Sequence, residues 1–443
     1  GACGNGMSGP SASFVAGPGG RVSGEIRVPG DTSISHRAVM LGAIAEGVTE
    51  VSGFLASDDC LATLAAFEAM GVRIERPAAD RLVIHGVGLH GLKAPPAALN
   101  LGNSGTGMRL LAGILCGQAF DSVLVGDRSL MSRPMDRVGA PLRRMGARFR
   151  TQRGRPPVEI TGRRALQGVA HELDVPSAQV KSAILLAGLY ATGRTLVIES
   201  APTRDHTERM LAAFGVPVER NGTEISIRGP ATPQACRIDV PGDFSSAAFF
   251  IVAALIAGTA PLVIRGVGVN PTRTGLIEIL RLMGADIRLV ASRNLGTEPA
   301  ADLEIMPGPL RGVAVPHELV VSAIDEFPVL FAAAAVAEGE TIVTGASELR
   351  VKESDRIAVM GEGLKQVGVD VEVLDDGIRI RGGNVRGGVV ESRGDHRVAM
   401  SFAVLAARAS QPLMIRDVRY VATSFPGFAA TARGAGLLIG ERA

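Results

Sequence analysis

The chain has 443 residues, of which 46 are basic and 44 acidic, so its formal net charge is only +2. This balance argues against a nucleic-acid partner, and any site for an anion must be local. Hydrophobic residues make up 46% of the chain and aromatic residues 4%, with no Trp. A core built from Ala, Val, Leu and Ile is typical of α/β proteins, and the length predicts two domains, since one core rarely exceeds about 250–300 residues.

We expect a soluble, cytoplasmic protein with no membrane partner. The longest apolar runs, such as Ala247 to Ala257, are too short to cross a bilayer. The four cysteines (Cys3, Cys60, Cys116 and Cys236) lack the spacing of zinc ligands, which predicts a reducing compartment without disulfides or a metal. Residues 1–20 lack the features of a signal peptide. They are predicted to form a flexible leader, with Met7 as a candidate native start.

In chain order, one pattern recurs six times: a helix-like segment ends at a glycine, and a short strand follows at once. These glycines are Gly71, Gly146, Gly215, Gly284, Gly368 and Gly436. Glycine adopts the left-handed conformation that ends many helices. After five of the six, a second alternating strand begins, at Arg81, Pro156, Glu224, Asp302 and Gly377. The sequence therefore predicts six units of about 70 residues each.

The domain boundaries follow from these units. The last unit stops after its first strand, and we expect the segment from Arg21 to Val28 to pair with it, which brings both chain ends into one domain. The near copies VPGDTS and VPGDFS, from Val28 and Val240, supply turn and capping residues for two crossings. We predict a continuous domain (32–240) and a discontinuous one (21–31 plus 241–443), whose two links let a cleft open and close.

Polar residues interrupt otherwise apolar helix starts in several places. The helix-opening stretches are GDTSISHR with Ser33 and Arg37, LGNSGTGMR with Gly105, and PSAQVKS with Ser177, Gln179 and Lys181 at the mouth of the helix. Backbone N–H groups at a helix start bind phosphate or carboxylate, which predicts anion sites. A plain helix cap is the alternative for each. Arg133, which precedes Pro134, is either an anion clamp or a surface arginine.

The most charged stretch is ELRVKESDR, from Glu348 to Arg356, which holds six charged residues in a chain that is only 20% charged. Such a cluster predicts a site for an anionic substrate that also needs proton transfer. A solvated helix start is the alternative interpretation. Asp325 and Glu326 in IDEFP, and the DHR triplet at 395–397, also interrupt apolar segments. We expect His396 to orient other groups rather than act as a base.

Together, seven motifs in register closely resemble the 5-enolpyruvylshikimate-3-phosphate (EPSP) synthase family. They are VPGDTSISHR, GNSGTGMRLL, SAQVKSAILLAG, TRDHTERML, LRVKESDR, DHRVAMSF and ATSFP. The resemblance implies an α/β, two-domain enolpyruvyl transferase fold, with three βαβαββ units per domain around an interdomain cleft. It also implies transfer of the enolpyruvyl group of phosphoenolpyruvate to the 5-hydroxyl of shikimate 3-phosphate, with release of phosphate and without metal or cofactor.

The resemblance also implies the site residues. For shikimate 3-phosphate they are Thr32, Ser33, Arg37, Ser177, Ala178, Gln179, Arg204, Asp325 and Lys352. For phosphoenolpyruvate they are Thr32, Gly105, Arg133, Gln179, Arg356 and Arg397. Several arginines suit two substrates that carry phosphates and carboxylates. Asp325, Glu353 and Lys352 are the expected catalytic residues, and which carboxylate is the acid and which the base stays open.

Two positions depart from the family pattern. Thr32 stands where the family has a lysine beside the enol phosphate, which predicts reduced activity. Ser424 stands where some members have a lysine, and another branch of the family shares this difference. Two alternatives follow: a shikimate 3-phosphate-binding relative with lost or altered catalysis, or a UDP-N-acetylglucosamine enolpyruvyl transferase, whose loop cysteine has no convincing counterpart here. We expect a monomer that is sensitive to glyphosate.

Overall fold

The computed structural model describes residues 12–163 and 165–443. Its strands are β1 (Ser13–Gly17), β2 (Val22–Ile26), β3 (Val48–Ser52), β4 (Arg73–Ala78), β5 (Arg81–His85), β6 (Leu99–Asn100), β7 (Ser122–Val125), β8 (Arg148–Gln152), β9 (Arg155–Thr161), β10 (Ala170–Leu173), β11 (Gly193–Glu199), β12 (Glu219–Asn221), β13 (Glu224–Gly229), β14 (Arg237–Asp239), β15 (Gly258–Gly268), β16 (Asp286–Leu295), β17 (Glu298–Met306), β18 (Glu340–Val343), β19 (Asp370–Val373), β20 (Ile378–Arg381), β21 (Gly388–Glu391), β22 (Leu413–Arg416) and β23 (Leu438–Arg442).

Its α-helices are α1 (Thr32–Ile44), α2 (Asp58–Ala69), α3 (Gly105–Leu115), α4 (Asp136–Arg144), α5 (Ala178–Gly188), α6 (His206–Ala213), α7 (Phe244–Ala257), α8 (Gly275–Leu282), α9 (Val320–Ala323), α10 (Phe327–Val336), α11 (Arg356–Gln366), α12 (His396–Leu405), α13 (Val421–Ser424) and α14 (Phe428–Ala435).

The described strands form six small sheets. Their strand orders are β14-β3-β5-β4, β6-β7-β9-β8, β10-β11-β13-β12, β16-β17-β15-β2, β18-β20-β19 and β21-β22-β1-β23. Five of them contain one parallel pair, such as β10 with β11, beside antiparallel pairs. In the three-stranded sheet, an isolated parallel bridge between Ala314 and Ile342 takes the place of the missing strand. Six repeated units of helix and sheet confirm the predicted α/β fold class.

The six repeat glycines end helices as predicted. Each has a positive φ, from +78° at Gly215 to +107° at Gly436, where side-chain-bearing residues are strained. A strand follows each one, from β4 after Gly71 to β23 after Gly436. The left-handed glycine therefore turns the chain directly from each of these helices into its sheet.

The chain divides into two compact units. The first, here called the 30–240 unit, comprises Gly30–Val240 together with Asn294–Glu298. The second, here called the 241–443 unit, comprises the described residues up to Pro29 together with Pro241–Arg293 and Pro299–Ala443. The chain thus divides between Pro29 and Gly30 rather than between Asp31 and Thr32, and the sequence did not predict that residues 294–298 belong with the first unit.

The leader prediction was wrong for residues 13–17, which form β1. This strand pairs with β22 and β23, because Phe14 and Ala16 bury their side chains in the core. The expected pairing of the segment from Arg21 to Val28 with the last strand was also wrong, since β2 instead runs parallel to β15. Met7 and the rest of 1–11 lie outside the described residues.

Each unit has its own core around three buried helices. In the 30–240 unit, α1 and α5 pack against α3, and in the 241–443 unit α7, α10 and α12 pack against one another. By length and composition, the helical stretch His317–Val336 could cross a membrane, but 67% of its apolar 18-residue window is buried inside the protein, as in a core helix. Many motif residues stand at or next to the N-terminal ends of these core helices, and the others precede or begin α4, α6 and α11. That position makes them candidates for a site.

Candidate functional site

In the 30–240 unit, three core helices begin with a side-chain cap. The carboxylate of Asp31 accepts a hydrogen bond from Ile34 N (2.8 Å) at α1, and Ser104 Oγ accepts one from Gly107 N (2.8 Å) at α3. Ser177 Oγ accepts one from Val180 N (3.2 Å) at α5. The predicted residues Thr32, Gly105 and Ala178 are the first residues of these helices. Because helix N-termini attract anions, these starts are suited to binding phosphate or carboxylate.

Two arginines lie next to the start of α3. A Cβ on Gly105 would come within 2.8 Å of Arg109 Nη1 and 3.1 Å of Arg133 Nη1. Arg109 Nη1 donates to Gln179 Oε1 (2.7 Å), and Gln179 Nε2 donates to Thr106 Oγ1 (2.9 Å). The structure therefore brings the predicted residues Gly105, Arg133 and Gln179 together around a small, positively charged surface. The guanidinium of Arg109, which we had not predicted as a site residue, is part of this surface.

Arg37 lies one turn into α1 and is only 4% exposed. Its Nε donates to Thr207 Oγ1 (2.7 Å), its Nη2 to Ser182 Oγ (3.0 Å) and its Nη1 to Ser33 O (2.9 Å). Burial and, to a smaller extent, the positive charge of nearby Arg204 lower the pKa of Arg37 to about 10, although Asp31 and Glu208 act in the opposite direction. The guanidinium stays protonated at neutral pH, so Arg37 and Arg204 form a second positive pair.

A buried histidine connects the helix starts. His36 Nδ1 lies 2.9 Å from Thr63 Oγ1, and its Nε2 lies 3.5 Å from Oγ of Ser104, the cap of α3. Burial and the charge of Arg37 lower the pKa of His36 to about 3. The neutral ring therefore links α1 to α2 and to the cap of α3.

In the 241–443 unit, the predicted residues also form a cluster. Asp325 lies in a short 3-10 helix before α10, and its Oδ1 is 3.8 Å from Lys352 Nζ and 3.7 Å from Arg356 Nη1. Glu353 Oε2 accepts a hydrogen bond from Arg356 Nη2 (2.5 Å). Asp325 and Glu353 expose 15% and 36% of their side chains. The cluster therefore combines two accessible carboxylates with two cations, which suits proton transfer to a bound anion.

Arg356 is the buried centre of this cluster, with 1% of its side chain exposed. Its Nε donates to Asp395 Oδ2 (2.9 Å), which also accepts from Ser354 Oγ (2.7 Å). Burial alone would lower the pKa of Arg356, but Asp395, Glu353 and Asp325 raise it above its usual range. Burial would raise the pKa of Asp395, but Arg356 outweighs burial and lowers it. The pair is therefore fully ionised.

Arg397, on the first turn of α12, completes the cluster. Its Nη1 donates to Asp325 O (3.3 Å) and lies 3.9 Å from Glu326 Oε1. Glu326 also accepts a hydrogen bond from Ser245 Oγ, at the start of α7. Burial and the charge of Arg397 lower the pKa of His396 to about 4, so His396 is neutral at pH 7. The orienting role of His396 stays a prediction.

The predicted residues thus fall into two groups, one in each unit. Thr32, Ser33, Arg37, Gly105, Arg133, Ser177, Ala178, Gln179 and Arg204 belong to the 30–240 unit, and Asp325, Lys352, Glu353, Arg356 and Arg397 to the 241–443 unit. The partners Arg109, Thr207 and Asp395 were missed as site residues. The motifs contain all three, but only tertiary contacts distinguish a partner from a neighbour in sequence. Among residues 12–163 and 165–443, no group of three His, Cys, Asp or Glu side chains could hold a metal ion.

Known proteins resemble this chain over nearly its whole length. A 3-phosphoshikimate 1-carboxyvinyltransferase from Methylococcus capsulatus is 61% identical over 425 residues, covering 96% of this chain and 97% of that protein. A protein of the same name from Nitrosococcus oceani is 54% identical, covering 98% of each.

Solved structures agree with these relatives. EPSP synthase from Acinetobacter baumannii superposes with a TM-score of 0.90 at 53% identity, covering 98% of this chain and 100% of that one. The enolpyruvyl transferase NikO from Streptomyces tendae, at 18% identity and a TM-score of 0.78, shares the fold. The model of the EPSP synthase (3-phosphoshikimate 1-carboxyvinyltransferase) family matches residues 17–431. With the motifs, the sheets and the relatives in agreement, the chain belongs to the EPSP synthase family.

Proposed function

We propose that this chain transfers the enolpyruvyl group of phosphoenolpyruvate to the 5-hydroxyl of shikimate 3-phosphate and releases phosphate. The observation that carries the proposal is the 61% identity, over nearly the whole length of both chains, to a 3-phosphoshikimate 1-carboxyvinyltransferase. The hydroxyl loses its proton to a base as its oxygen adds to the central carbon of the enol, while an acid delivers a proton to the methylene carbon. Loss of phosphate and of a methyl proton then restores the double bond.

Two groups in the 30–240 unit bind the anionic parts of the substrates. Ser33, Arg37, Ser177, Ala178, Gln179 and Arg204 bind shikimate 3-phosphate. Gly105, Arg133 and Gln179 bind phosphoenolpyruvate. The supporting geometry is the open backbone at Gly105, with two guanidiniums close by, and the buried, protonated Arg37 beside Arg204. Guanidinium forks and helix N–H groups are well matched to phosphate and carboxylate oxygens.

The 241–443 unit supplies the proton transfers. Asp325 and Glu353 act as the acid and base, and Lys352, with its Nζ 3.8 Å from Asp325 Oδ1, orients the hydroxyl groups of shikimate 3-phosphate with Asp325. Arg356 and Arg397 bind phosphoenolpyruvate. Asp395 keeps Arg356 charged and fixed, so that this guanidinium needs little reorganisation when an anion arrives.

Phosphate release from phosphoenolpyruvate and shikimate 3-phosphate tests the proposal. We expect release only when both substrates are present, and Glu353→Gln, which keeps the shape of the side chain but removes its proton transfer, should slow it about 10²- to 10⁴-fold. Replacing shikimate 3-phosphate with UDP-N-acetylglucosamine should give no release. Release with the nucleotide sugar instead, or binding of shikimate 3-phosphate without any release, would contradict the proposed reaction.

The oligomeric state and the location of the protein stay predictions. We propose a monomer that works in the cytoplasm on small-molecule substrates. Sedimentation at several protein concentrations tests the first point, and a mass that rises with concentration would contradict it.

A further inference from the structure

We infer that Lys181 is a positioning residue for the shikimate 3-phosphate site, because it holds the loop that carries Arg204. The identity of the ligand rests on the proposed function, whereas the contact between Lys181 and the loop does not. Lys181 lies on α5, one turn after Ser177, and its side chain is 0% exposed. The motif PSAQVKS predicted that Lys181 lies at the mouth of the helix, but its ammonium group lies inside the protein.

The ammonium group of Lys181 has three acceptors. Its Nζ lies 2.7 Å from Glu199 Oε1, 3.0 Å from Glu208 Oε2 and 3.5 Å from the carbonyl oxygen of Thr203. An ammonium group has three N–H donors, so these three acceptors account for all of them. Lys181 therefore ties α5 to the end of β11, to α6 and to the loop between them.

Thr203 is the point where this network holds the loop. The second oxygen of Glu199 accepts hydrogen bonds from Thr203 N (2.8 Å) and from Thr203 Oγ1 (3.0 Å). The carbonyl oxygen of Thr203 contacts Lys181 Nζ, so each of the three polar atoms of Thr203 has a partner in this network. Arg204 is the next residue, so the network fixes the backbone from which its guanidinium extends.

Arg204 needs such support because it lies close to another cation. Its positive charge is among the causes that lower the pKa of Arg37, so the two guanidiniums repel each other before an anion binds. A loop without a fixed anchor would relieve this repulsion by moving Arg204 away. By holding Thr203, Lys181 keeps the pair ready for a phosphate group and reduces the reorganisation that binding requires.

A purely stabilising role is a poor explanation for this network. Removing two charges from water is expensive, and well-packed apolar residues often stabilise a core equally well. The charges of Lys181 and Arg220 balance those of Glu199 and Glu208, with Arg220 Nη2 donating to Glu208 Oε2 (2.9 Å). Within residues 12–163 and 165–443, no hydrogen bond or ion pair joins Arg220 to Thr203, which makes Arg220→Met a matched control.

The test uses the full chain and compares Lys181→Met with Arg220→Met. In the unliganded protein, hydrogen exchange at the amides of Thr203 and Arg204 should be at least about tenfold faster in Lys181→Met, since local opening exposes them, and unchanged in the control. The dissociation constant for shikimate 3-phosphate, from calorimetry, should rise about 10- to 100-fold in Lys181→Met, the typical effect of losing one hydrogen bond to a charged group. The control should change it less than about twofold.

Arg204→Ala tests whether Lys181 acts through Arg204. In an Arg204→Ala background, Lys181→Met should no longer weaken binding, because the residue that it positions is gone. If Lys181→Met does not fold, the charge-balanced variant Lys181→Met/Glu208→Gln carries the same predictions. Unchanged exchange at Thr203 and Arg204, or additive losses in the double variant, would overturn the inference. If the unaltered chain fails to bind shikimate 3-phosphate, the proposed function fails, and the exchange experiment still decides whether Lys181 holds the loop.

Discussion

Thr32 is the first residue of α1 and stands where the family has a lysine. A threonine hydroxyl is neutral and short, so it cannot supply the positive charge that offsets charge growing on the phosphate as its C–O bond breaks. Loss of one such donor typically slows a reaction about 10²- to 10³-fold.

We therefore predict that Thr32→Lys raises turnover at least about tenfold, a conservative part of that effect. Shikimate 3-phosphate binding should change little, because Ser33, Arg37, Ser177 and Gln179 remain. Steady-state kinetics with both substrates checks this, with the neutral Thr32→Ser as control. If the unaltered chain already turns over at tens per second and the lysine adds nothing, another cation fills the role.

Gly105 determines how closely a ligand approaches the start of α3. A methyl group there would lie 2.8 Å from Arg109 Nη1 and 3.1 Å from Arg133 Nη1, so the ends of both side chains would have to shift. We predict that Gly105→Ala weakens inhibition by glyphosate far more than it weakens phosphoenolpyruvate binding, because the inhibitor is the longer of the two. Inhibition constants and KM values for the two proteins check this. An equal loss for both ligands would show that the steric argument is wrong.

His36 predicts a pH dependence of stability. Its pKa is lowered from 6.5 to about 3 in the folded chain, so between these values the unfolded chain binds a proton that the folded chain does not. Stability must then fall as the pH falls through this window, by about 2 kcal/mol between pH 7 and pH 5 for this group. His171 and His396 contribute to the loss of stability in the same pH range, because their pKa values are lowered from 6.5 to about 4.

Urea unfolding at pH 7 and pH 5 separates these histidines. We predict that His36→Gln, which does not titrate, loses less stability on acidification than the unaltered chain, by about 2 kcal/mol. A His171→Gln control reports the share of another buried histidine. Equal losses in the unaltered chain and in His36→Gln would mean that His36 is not held neutral.

At the scale of single elements, two glycines at the C-terminal end of α14 have opposite requirements. Gly434 lies within the helix, and a Cβ there would meet nothing within 4 Å. Gly436 has φ +107°, and its Cβ would lie 1.9 Å from Arg21 O. We predict that Gly434→Ala stabilises the protein by about 0.4–1 kcal/mol, whereas Gly436→Ala destabilises it by more than about 1–2 kcal/mol. Chemical denaturation of both variants checks this, and the same sign for both would contradict the assignment of Gly436 as the helix cap.

The elements also show what the sequence could predict. The glycine that ends each helix and the alternating strand after it are local signals, so all six repeats were predicted. The strand β1 was missed because it lies in a segment rich in Gly and Ser, and only two of its side chains, Phe14 and Ala16, are deeply buried apolar groups. Its place in the sheet depends on β22 and β23, some 400 residues later, and no local pattern reports such a pairing.

In the candidate site, too, local features were predicted from the sequence and long-range contacts were not. Short motifs predicted which residues carry charge at helix starts, because capping and charge are visible in sequence. They did not predict which partner fixes which side chain: Arg37 depends on Thr207, and Arg356 depends on Asp395. Lys181 shows most clearly what a motif cannot predict. Its position at a helix mouth suggested contact with a ligand, whereas its ammonium group lies between two buried carboxylates.

At the scale of the whole molecule, each unit encloses its own hydrophobic core. One unit is almost continuous in sequence, while the other needs both the N-terminal strands and the residues from Pro241 onward, apart from 294–298. The 241–443 unit is therefore complete only after β23 has been synthesised, although its first strands are made before the other unit. The first and last strands of the described residues, β1 and β23, pair directly, with Ser13 opposite Arg442.

Because β1 and β23 pair, the order of the segments along the chain can be changed while the fold is kept. In a circular permutant, a short turn would join residue 442 to residue 13, and the chain would open between Pro29 and Gly30. The permuted chain would begin with residues 30–240, continue with 241–442 and end with 13–29. Each hydrophobic core would then be built from one uninterrupted stretch of chain, apart from residues 294–298. We predict that this permutant folds and keeps its activity, because β1 meets β23 in the same antiparallel register. Circular dichroism and phosphate release check this, and a permutant that stays unfolded would mean that the broken link at Pro29 is essential for folding.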